Sequence, residues 1–138
     1  MNDPFNDTHE MHTFGPIERD PNGIDPREPG AKLDAGKVRP SLILSDMARA
    51  LLAVAEVGTF GANKYSDGGW QYVQDGIKRY SDAKDRHRLR GAIEERDPDS
   101  GLLHAAHEAW NALAVLELML REKEAEVREA SHGGRRRG

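Results

Sequence analysis

Residues 102–120 read LLHAAHEAWNALAVLELML, and this stretch decides the fold class. At the α-helical step of about 100° per residue, its aliphatic side chains recur at heptad-like spacing along one stripe. The stripe consists of Leu102, Ala106, Ala109, Leu113, Leu116 and Leu120. It predicts an amphipathic helix that packs against a core or against a partner helix.

The opposite face of the same helix is polar at its beginning. This polar face carries His104, His107, Glu108 and Asn111, followed by Val115 and Leu118. A helix that only covers a core should show solvated Lys and Glu on that side. Imidazoles and an amide indicate instead that this side is buried too and lines a polar cavity. Structural or surface histidines are the competing interpretation, and spacing alone does not separate the two.

Two further helices are predicted before this one. The first runs from about residue 42 to 57, the second from about 73 to 95, and the third from about 102 to 129. Asp99 or Ser100 would cap the third helix. Three helices with short connections predict an all-α fold, an antiparallel bundle whose thin core favours self-association.

Composition divides the chain into three parts. Residues 1–31 hold five of the seven prolines and few apolar side chains, which predicts a disordered N-terminal arm. Residues 32–130 are expected to form the helical domain. Residues 131–138, with three arginines after two glycines, are expected to be a flexible basic tail.

Charge and cysteine usage exclude several classes of protein. A net charge of -4 argues against bulk binding of nucleic acid. No apolar run approaches the roughly 20 residues of a membrane span, and no signal core is present. Zero cysteines exclude disulfides and thiolate metal sites, which predicts a cytoplasmic protein. Any metal must therefore bind to carboxylates, imidazoles or amides.

The second helix offers partners for the polar face of the third. His87 and Glu94 lie two turns apart and face the same way, whereas Glu95 points about 100° away. Both glutamates remain candidates, because helix ends fray by a residue or two. Asp97 and Asp99 lie in the loop that joins the two helices. Helix-end solvation and capping are the competing interpretation of these carboxylates.

Together these groups predict a divalent metal site at one end of a helix pair. Oxygen ligands suit Mg²⁺ or Mn²⁺, and imidazoles shift the preference towards Mn²⁺ or another transition ion. A divalent ion beside basic residues is what phosphate chemistry requires, since the ion neutralises phosphate charge and activates water.

Basic and aromatic residues indicate where phosphates and a base would bind. The basic candidates are Lys37, Arg39, Lys64 and Arg86. Each alone is usually a solvated surface charge. Beside Gly36, Gly61, Tyr65 and Trp70 they predict a triphosphate cradle with a side for base stacking. Trp110 is expected in the core, and the role of Trp70 stays open between core and base stacking.

Four segments give the chain a resemblance to a known family. They are residues 36–40 (GKVRP), residues 59–65 (TFGANKY) with Trp70 behind them, Arg86 and His87 with Glu94 or Glu95, and residues 97–101 (DPDSG) running into His104, His107 and Asn111. Over about residues 32–120 the chain resembles the phage dATP/dGTP diphosphohydrolases, the MazZ-like branch of the MazG-like all-α nucleotide pyrophosphohydrolases.

The resemblance implies hydrolysis of dGTP or dATP to the monophosphate and pyrophosphate. It also implies Mg²⁺ or Mn²⁺, a homo-oligomer of helical bundles, and the host cytoplasm as location if the chain is phage-encoded. The chain departs from the general MazG pattern of Glu-x-x-Glu and Glu-x-x-Asp. His87 stands where an upstream glutamate is expected, and Asn111 stands where an aspartate is expected.

The residues and the resemblance together give an expected site. Expected metal ligands are Glu94, Glu95, Asp97, His104, His107 and Asn111. Expected catalytic groups are Glu94, Glu95 and His107. Expected substrate-binding residues are Lys37, Arg39, Lys64, Tyr65, Trp70, Arg86 and His87.

Two other functions compete with this one. An HD-type dNTP phosphohydrolase also holds metal on helical His and Asp side chains, but it needs an adjacent His-Asp pair, which this sequence lacks. A non-enzymatic helical interaction module of a phage would use the histidines only for structure.

Overall fold

The computed structural model describes residues 18–134, and the chain divides into two units, Met1–Asp46 and Met47–Gly138. The helical elements of the described residues are α1 (Ser41–Leu44), α2 (Ala48–Lys64), a 3₁₀ helix (Gly69–Tyr72), α3 (Gly76–Gly91) and α4 (His104–Gly133). The described residues contain no strand, and a single antiparallel bridge joins Arg96 to Leu103. The predicted all-α fold class is confirmed.

Asp20 organises the N-terminal unit. Its side chain is buried, and its carboxylate accepts hydrogen bonds from the backbone N–H groups of Asn22 at 2.8 Å, Ile24 at 3.3 Å and Lys32 at 2.9 Å. The bond from Lys32 contributes most to holding the pKa of Asp20 below its usual value, against the opposite effect of burial. An ionised Asp20 therefore ties the two ends of this loop together.

The expected disordered arm and basic tail are only partly within the described residues, which begin at Glu18. Where the arm of residues 1–31 is described, it forms successive turns with backbone hydrogen bonds such as that from Gly23 N–H to the Asp20 carbonyl. The expected tail of residues 131–138 is helical up to Gly133, and its last four residues lie outside the described residues.

The first predicted helix, about residues 42–57, is interrupted in the structure. Met47 leaves the helical conformation, with φ −117° and ψ 27°, so α2 begins only at Ala48 and continues to Lys64. Ser45 and Asp46 lie in the interruption, and residues of these two types have side chains that compete for backbone hydrogen bonds and weaken helices.

The second and third predicted helices are shorter at the ends that face each other. Asp75 adopts a left-handed conformation (φ 55°), and α3 begins after it, at Gly76. α3 ends at Gly91, so Glu94 lies beyond the helix on which its orientation was predicted. α4 begins at His104, after an extended Leu103. The prediction that Asp99 or Ser100 caps this helix is therefore wrong, because Leu103 is the N-cap residue and Asp99 and Ser100 lie within the preceding turn, which is closed by Gly101 N–H and the Asp97 carbonyl.

Helices α2, α3 and α4 pack as an antiparallel bundle. A Cβ added at Gly76, at the start of α3, would lie 3.0 Å from Leu118, and one at Gly91, at its end, would lie 3.4 Å from His104. α3 therefore runs back along α4 towards the first turn of α4. α2 also packs on α4, where a Cβ at Gly58 would lie 3.2 Å from Trp110 Nε1.

The bundle buries the polar face at the beginning of α4, whereas the aliphatic stripe of α4 is only partly buried. The buried residues of α4 are His104, Ala106, His107, Asn111 and Ala114. On the aliphatic stripe, Leu113 is 51% exposed and Leu116 is 44% exposed. Burial of the polar face was predicted correctly. The stripe as a core element holds for Ala106, which is buried, but not for Leu113 and Leu116, because α2 and α3 pack on the other side of α4. Its alternative as a partner-helix surface stays open.

The described helices show no candidate membrane span. None of them combines the length and the apolar character that a bilayer span requires.

Asp20 yields a prediction about the N-terminal unit. Asp20→Asn removes the charge that three backbone N–H groups share, so we expect faster amide hydrogen exchange at Ile24 and Lys32, measured by NMR or mass spectrometry. Asp25→Asn is the matched control, because Asp25 is exposed and accepts one side-chain bond, from Arg27 N–H. Equal exchange in the two variants would contradict the organising role of Asp20.

Candidate functional site

A cavity of about 840 Å³ lies between α2, α3 and α4 in the C-terminal unit. Its polar part is lined by His87, Asp97, Asp99, His107 and Asn111. Its aromatic part is lined by Phe60, Tyr65, Trp70, Tyr80 and Trp110. Tyr80 and His87 are seven residues, about 10 Å, apart on α3. The two parts nevertheless adjoin, because the Phe60 ring meets His107 edge to face with centroids 6.3 Å apart.

Three imidazoles form the centre of the polar part. The His87 and His107 rings stack with centroids 4.4 Å apart and an interplanar angle of 8°. The Nδ1 atoms of His87 and His104 lie 2.9 Å apart, at hydrogen-bond distance. The side chain of His104 has no exposed surface, whereas His87 is half-buried and lines the cavity. We call His87, His104 and His107 the histidine cluster.

Two carboxylates contact the histidine cluster from the loop between α3 and α4. Glu94 Oε1 lies 3.2 Å from His104 Nε2, and Asp97 Oδ2 lies 3.8 Å from His107 Nε2. Ser100 bridges the second pair, since its Oγ lies 2.7 Å from His107 Nε2 and its N–H donates to Asp97 Oδ2 at 2.9 Å. All of these groups except Ser100 were named from the sequence.

Glu95 is separated from the histidine cluster. Its side chain is exposed, and only its backbone carbonyl takes part in the site, accepting a hydrogen bond of 3.0 Å from His104 N–H. Of the two glutamates left open by the sequence, Glu94 is therefore the one whose carboxylate contacts the imidazoles.

The loop is shaped by backbone bonds that bring these side chains together. Asp97 N–H donates to the Leu102 carbonyl at 2.8 Å, and Gly101 N–H donates to the Asp97 carbonyl at 2.8 Å. Gly101 has φ +72°, a left-handed conformation that glycine adopts at no steric cost. The resulting tight turn places Asp97 and Ser100 against His107, one turn into α4.

Burial sets the protonation of the site. Burial lowers the pKa of both His87 and His107, partly offset by the negative charge of Asp97. Burial alone would raise the pKa of Asp97, but hydrogen bonds from Ser100 and the nearby His107 hold it below its usual value. Near neutral pH the site thus combines neutral imidazoles, which have free lone pairs, with an ionised carboxylate.

This combination suits a metal ion. His87, Asp97 and His104 each offer one ligand atom, and these atoms lie within 4.8 Å of one another. Neutral imidazole nitrogen and carboxylate oxygen are donors for Mn²⁺ and other transition ions. Asn111 borders the same cavity but is buried, and its amide N–H donates to the His107 carbonyl at 2.8 Å.

The aromatic cluster consists of Trp70, Tyr80 and Trp110, which meet edge to face. Their centroids are 5.8 Å apart for Trp70–Trp110 and 5.6 Å apart for Tyr80–Trp110. The Tyr80 hydroxyl donates to the Trp70 carbonyl at 2.8 Å and fixes the 3₁₀ helix on α3. Both tryptophans are half-buried and line the cavity, so Trp70 resembles Trp110 in its environment.

Basic side chains border the cavity between the histidine and aromatic clusters. Lys64 Nζ lies 2.7 Å from Asp99 Oδ2 and 5.6 Å from the centroid of the Tyr65 ring. The bond to Asp99 raises the pKa of Lys64, so Lys64 is cationic at neutral pH. Arg86 is exposed at the cavity, as is Arg79, which sequence reasoning missed. The seven-residue spacing from Arg86 on one helix was the signal that could have found it.

Lys37 and Arg39 belong to the N-terminal unit. Lys37 Nζ lies 3.3 Å from Glu18 Oε1, and Arg39 is exposed. Their expected contact with phosphates stays a prediction.

Comparison with known proteins identifies the family. The model of a family described as dATP/dGTP diphosphohydrolase, N-terminal, matches residues 27–128, which is most of the chain. No curated protein and no solved structure matched. The match includes α2, α3 and every residue of the histidine cluster. The chain belongs to the dATP/dGTP diphosphohydrolase N-terminal family, a family of hydrolases.

Proposed function

We propose that this protein hydrolyses a purine deoxynucleoside triphosphate, dGTP or dATP, to the monophosphate and pyrophosphate with the aid of a divalent ion. One observation carries the proposal: a single cavity combines a carboxylate–imidazole site, cationic side chains and an aromatic surface. These are the three elements that an ion, a triphosphate and a purine base require. The family description supports the same substrates.

The ion would bind at the polar part of the cavity, to Asp97 and the histidine cluster. This donor set favours Mn²⁺ over Mg²⁺, because Mg²⁺ prefers oxygen ligands. An ion bound there would supply neutralisation of phosphate charge and a water molecule of lowered pKa. Glu94 supports the site through His104, whereas Glu95 has no side-chain contact with it.

The reaction transfers the α-phosphoryl group to water. A bond forms between the water oxygen and the α-phosphorus, and the bond from the α-phosphorus to the α,β-bridging oxygen breaks, so pyrophosphate leaves. His107 is suited to accept the proton of the water, because burial lowers its pKa and leaves it neutral near pH 7. The contact with Ser100 at 2.7 Å orients the His107 ring.

The remaining cavity residues would bind the substrate. Lys64, Arg79 and Arg86 would pair with phosphate oxygens. Tyr65 is 79% exposed and Trp70 is half-buried, so each offers a ring face for stacking on a purine. A cytoplasmic location and the lack of a nucleic-acid partner remain predictions from composition and charge.

The decisive experiment is incubation of the purified chain with each of the four dNTPs and MnCl₂ or MgCl₂, with products separated by chromatography. We expect dGMP or dAMP plus pyrophosphate, faster with Mn²⁺, and loss of turnover in Asp97→Asn. Triphosphate plus deoxynucleoside would favour the HD-type alternative. Absence of turnover with every dNTP would refute hydrolysis and favour a binding module.

We predict opposite changes in KM for substitutions of the ion-pair partners Lys64 and Asp99. Asp99 competes with substrate phosphate for Lys64, because the two side chains already form an ion pair. We expect Lys64→Met to raise KM about tenfold and Asp99→Asn to lower it, measured by steady-state kinetics. Lys78→Met, at an exposed lysine of α3 that does not line this cavity, is the charge-matched control. A KM that rises in Asp99→Asn would contradict the competition.

We also propose that the aliphatic stripe of α4 packs against a second copy of the chain. Leu113, Leu116 and Met119 are 44–51% exposed on α4, and few aliphatic side chains are buried among the described residues. We expect Leu116→Lys to lower the mass measured by light scattering during size exclusion, since a lysine cannot be buried in an apolar interface without cost. Glu126→Lys, exposed on the same helix, is the control. A monomeric wild-type chain would contradict self-association.

A further inference from the structure

A chain of hydrogen bonds links Glu94 to His87 through the buried His104. Glu94 Oε1 lies 3.2 Å from His104 Nε2, and His104 Nδ1 lies 2.9 Å from His87 Nδ1. Both ring nitrogens of His104 therefore have protein partners. The carboxylate end of this chain is half-exposed, its centre is fully buried, and its far end reaches the cavity.

The donors in this chain follow from the chemistry of its ends. An ionised carboxylate only accepts hydrogen bonds, so His104 Nε2 carries the hydrogen and donates to Glu94. A neutral imidazole carries one hydrogen, so with that hydrogen on Nε2 the Nδ1 of His104 has only a lone pair. His104 Nδ1 must accept from His87 Nδ1–H. Neutral His87 is thereby held in the tautomer whose lone pair is on Nε2.

The burial of His104 and His87 also differs, in agreement with these tautomers. His104 has no exposed side-chain surface and does not line the cavity. His87 lines the cavity, and its Nε2 has no hydrogen-bond partner among the described residues. Stacking on His107 at 4.4 Å and 8° opposes rotation of the His87 ring. The lone pair that is free to bind a ligand is therefore on His87.

We propose that His104 is a positioning residue, and that His87 Nε2, together with Asp97, binds a divalent transition-metal ion. This revises two expectations from the sequence, in which His104 was a ligand and His87 contacted substrate. The proposal rests on the proposed function only in expecting an ion at this cavity. A carboxylate that orients a ligating imidazole is a frequent supporting element of metal sites, and here the carboxylate acts through a second imidazole.

The tautomers can be measured without metal or substrate. Long-range ¹H–¹⁵N correlation NMR of the ¹⁵N-labelled full chain at about pH 8 distinguishes protonated from unprotonated ring nitrogens. We expect a hydrogen on Nε2 of His104 and on Nδ1 of His87. A hydrogen on His87 Nε2 would overturn the proposal, because that atom would have no lone pair for an ion.

Addition of ZnCl₂, a diamagnetic probe, tests which ring binds. We expect the ¹⁵N resonance of His87 Nε2 to move on saturation, while Nδ1 of His104 stays in its hydrogen-bonded position. A ¹⁵N shift of His104 Nδ1 to the position of a metal-bound nitrogen would overturn its role as a positioning residue. MgCl₂ at the same concentration should leave both rings unchanged.

Glu94→Gln and Glu95→Gln form a matched pair for the role of the carboxylate. Adjacent glutamates are changed to the same amide, but only Glu94 contacts the histidine cluster. We expect Glu94→Gln to weaken Zn²⁺ binding about tenfold in calorimetry and to give His87 a mixture of tautomers without metal, and Glu95→Gln to change neither. If Glu94→Gln weakened Zn²⁺ binding but left the His87 tautomer unchanged, Glu94 would be a direct ligand and the relay would be refuted.

These readouts are independent of catalysis. A chain that binds Zn²⁺ through His87 but hydrolyses no dNTP would retain this inference and refute the proposed function. If the chain hydrolysed dGTP but bound the metal through His104, the proposed function would stand and this inference would be refuted.

Discussion

Every polar group buried between α3 and α4 needs a hydrogen-bond partner, and this requirement governs the rest of the structure. A buried donor or acceptor without a partner costs about 1–3 kcal/mol. Among the described residues, no buried side-chain nitrogen or oxygen lacks one. The loop after α3 meets the requirement, since it supplies Glu94 to His104 and Ser100 to His107. The backbone hydrogen bonds of the loop place these side chains beside the imidazoles.

Burying polar groups leaves less room for an aliphatic core. The buried aliphatic residues of the described chain are Val57, Ala106 and Ala114, all small or medium in size. The large aliphatic side chains of α4 lie on the opposite side, where Leu113 and Leu116 meet solvent. In this bundle, α4 thus buries two of its histidines and exposes these two leucines, whereas an amphipathic helix usually does the opposite.

Periodicity predicted the fold class and the two faces of α4, because both depend on local spacing. It predicted burial of the polar face but not the exposure of Leu113 and Leu116 on the other face, since that depends on how α2 and α3 pack. The limits of α3 were misplaced because Asp75 adopts a left-handed conformation before its start, and because Ala92 and Ile93 donate to carbonyls three residues back after its end. Glu94, which does contact His104, was therefore favoured on the basis of a helical geometry that it does not have.

Contacts between distant residues were beyond sequence reasoning. Lys64 and Asp99 are 35 positions apart and meet only because α2 ends beside the turn after α3. The contact of His87 with His104 likewise depends on the close approach of Gly91 to the first turn of α4. Residue types indicated which side chains could bind metal or transfer protons. Which of them donate and which accept hydrogen bonds in the chain from Glu94 to His87 follows only from the interatomic distances.

The placement of the tryptophans has a practical consequence for spectroscopy. The chain has two tryptophans, and both line the cavity. All of its indole emission therefore originates beside the cavity. Arg121 lies with its guanidinium carbon 5.6 Å from the Trp70 ring centroid, and a charge at that distance adds to the sensitivity of the chromophore. Intrinsic fluorescence thus reports local events at the cavity without an attached dye.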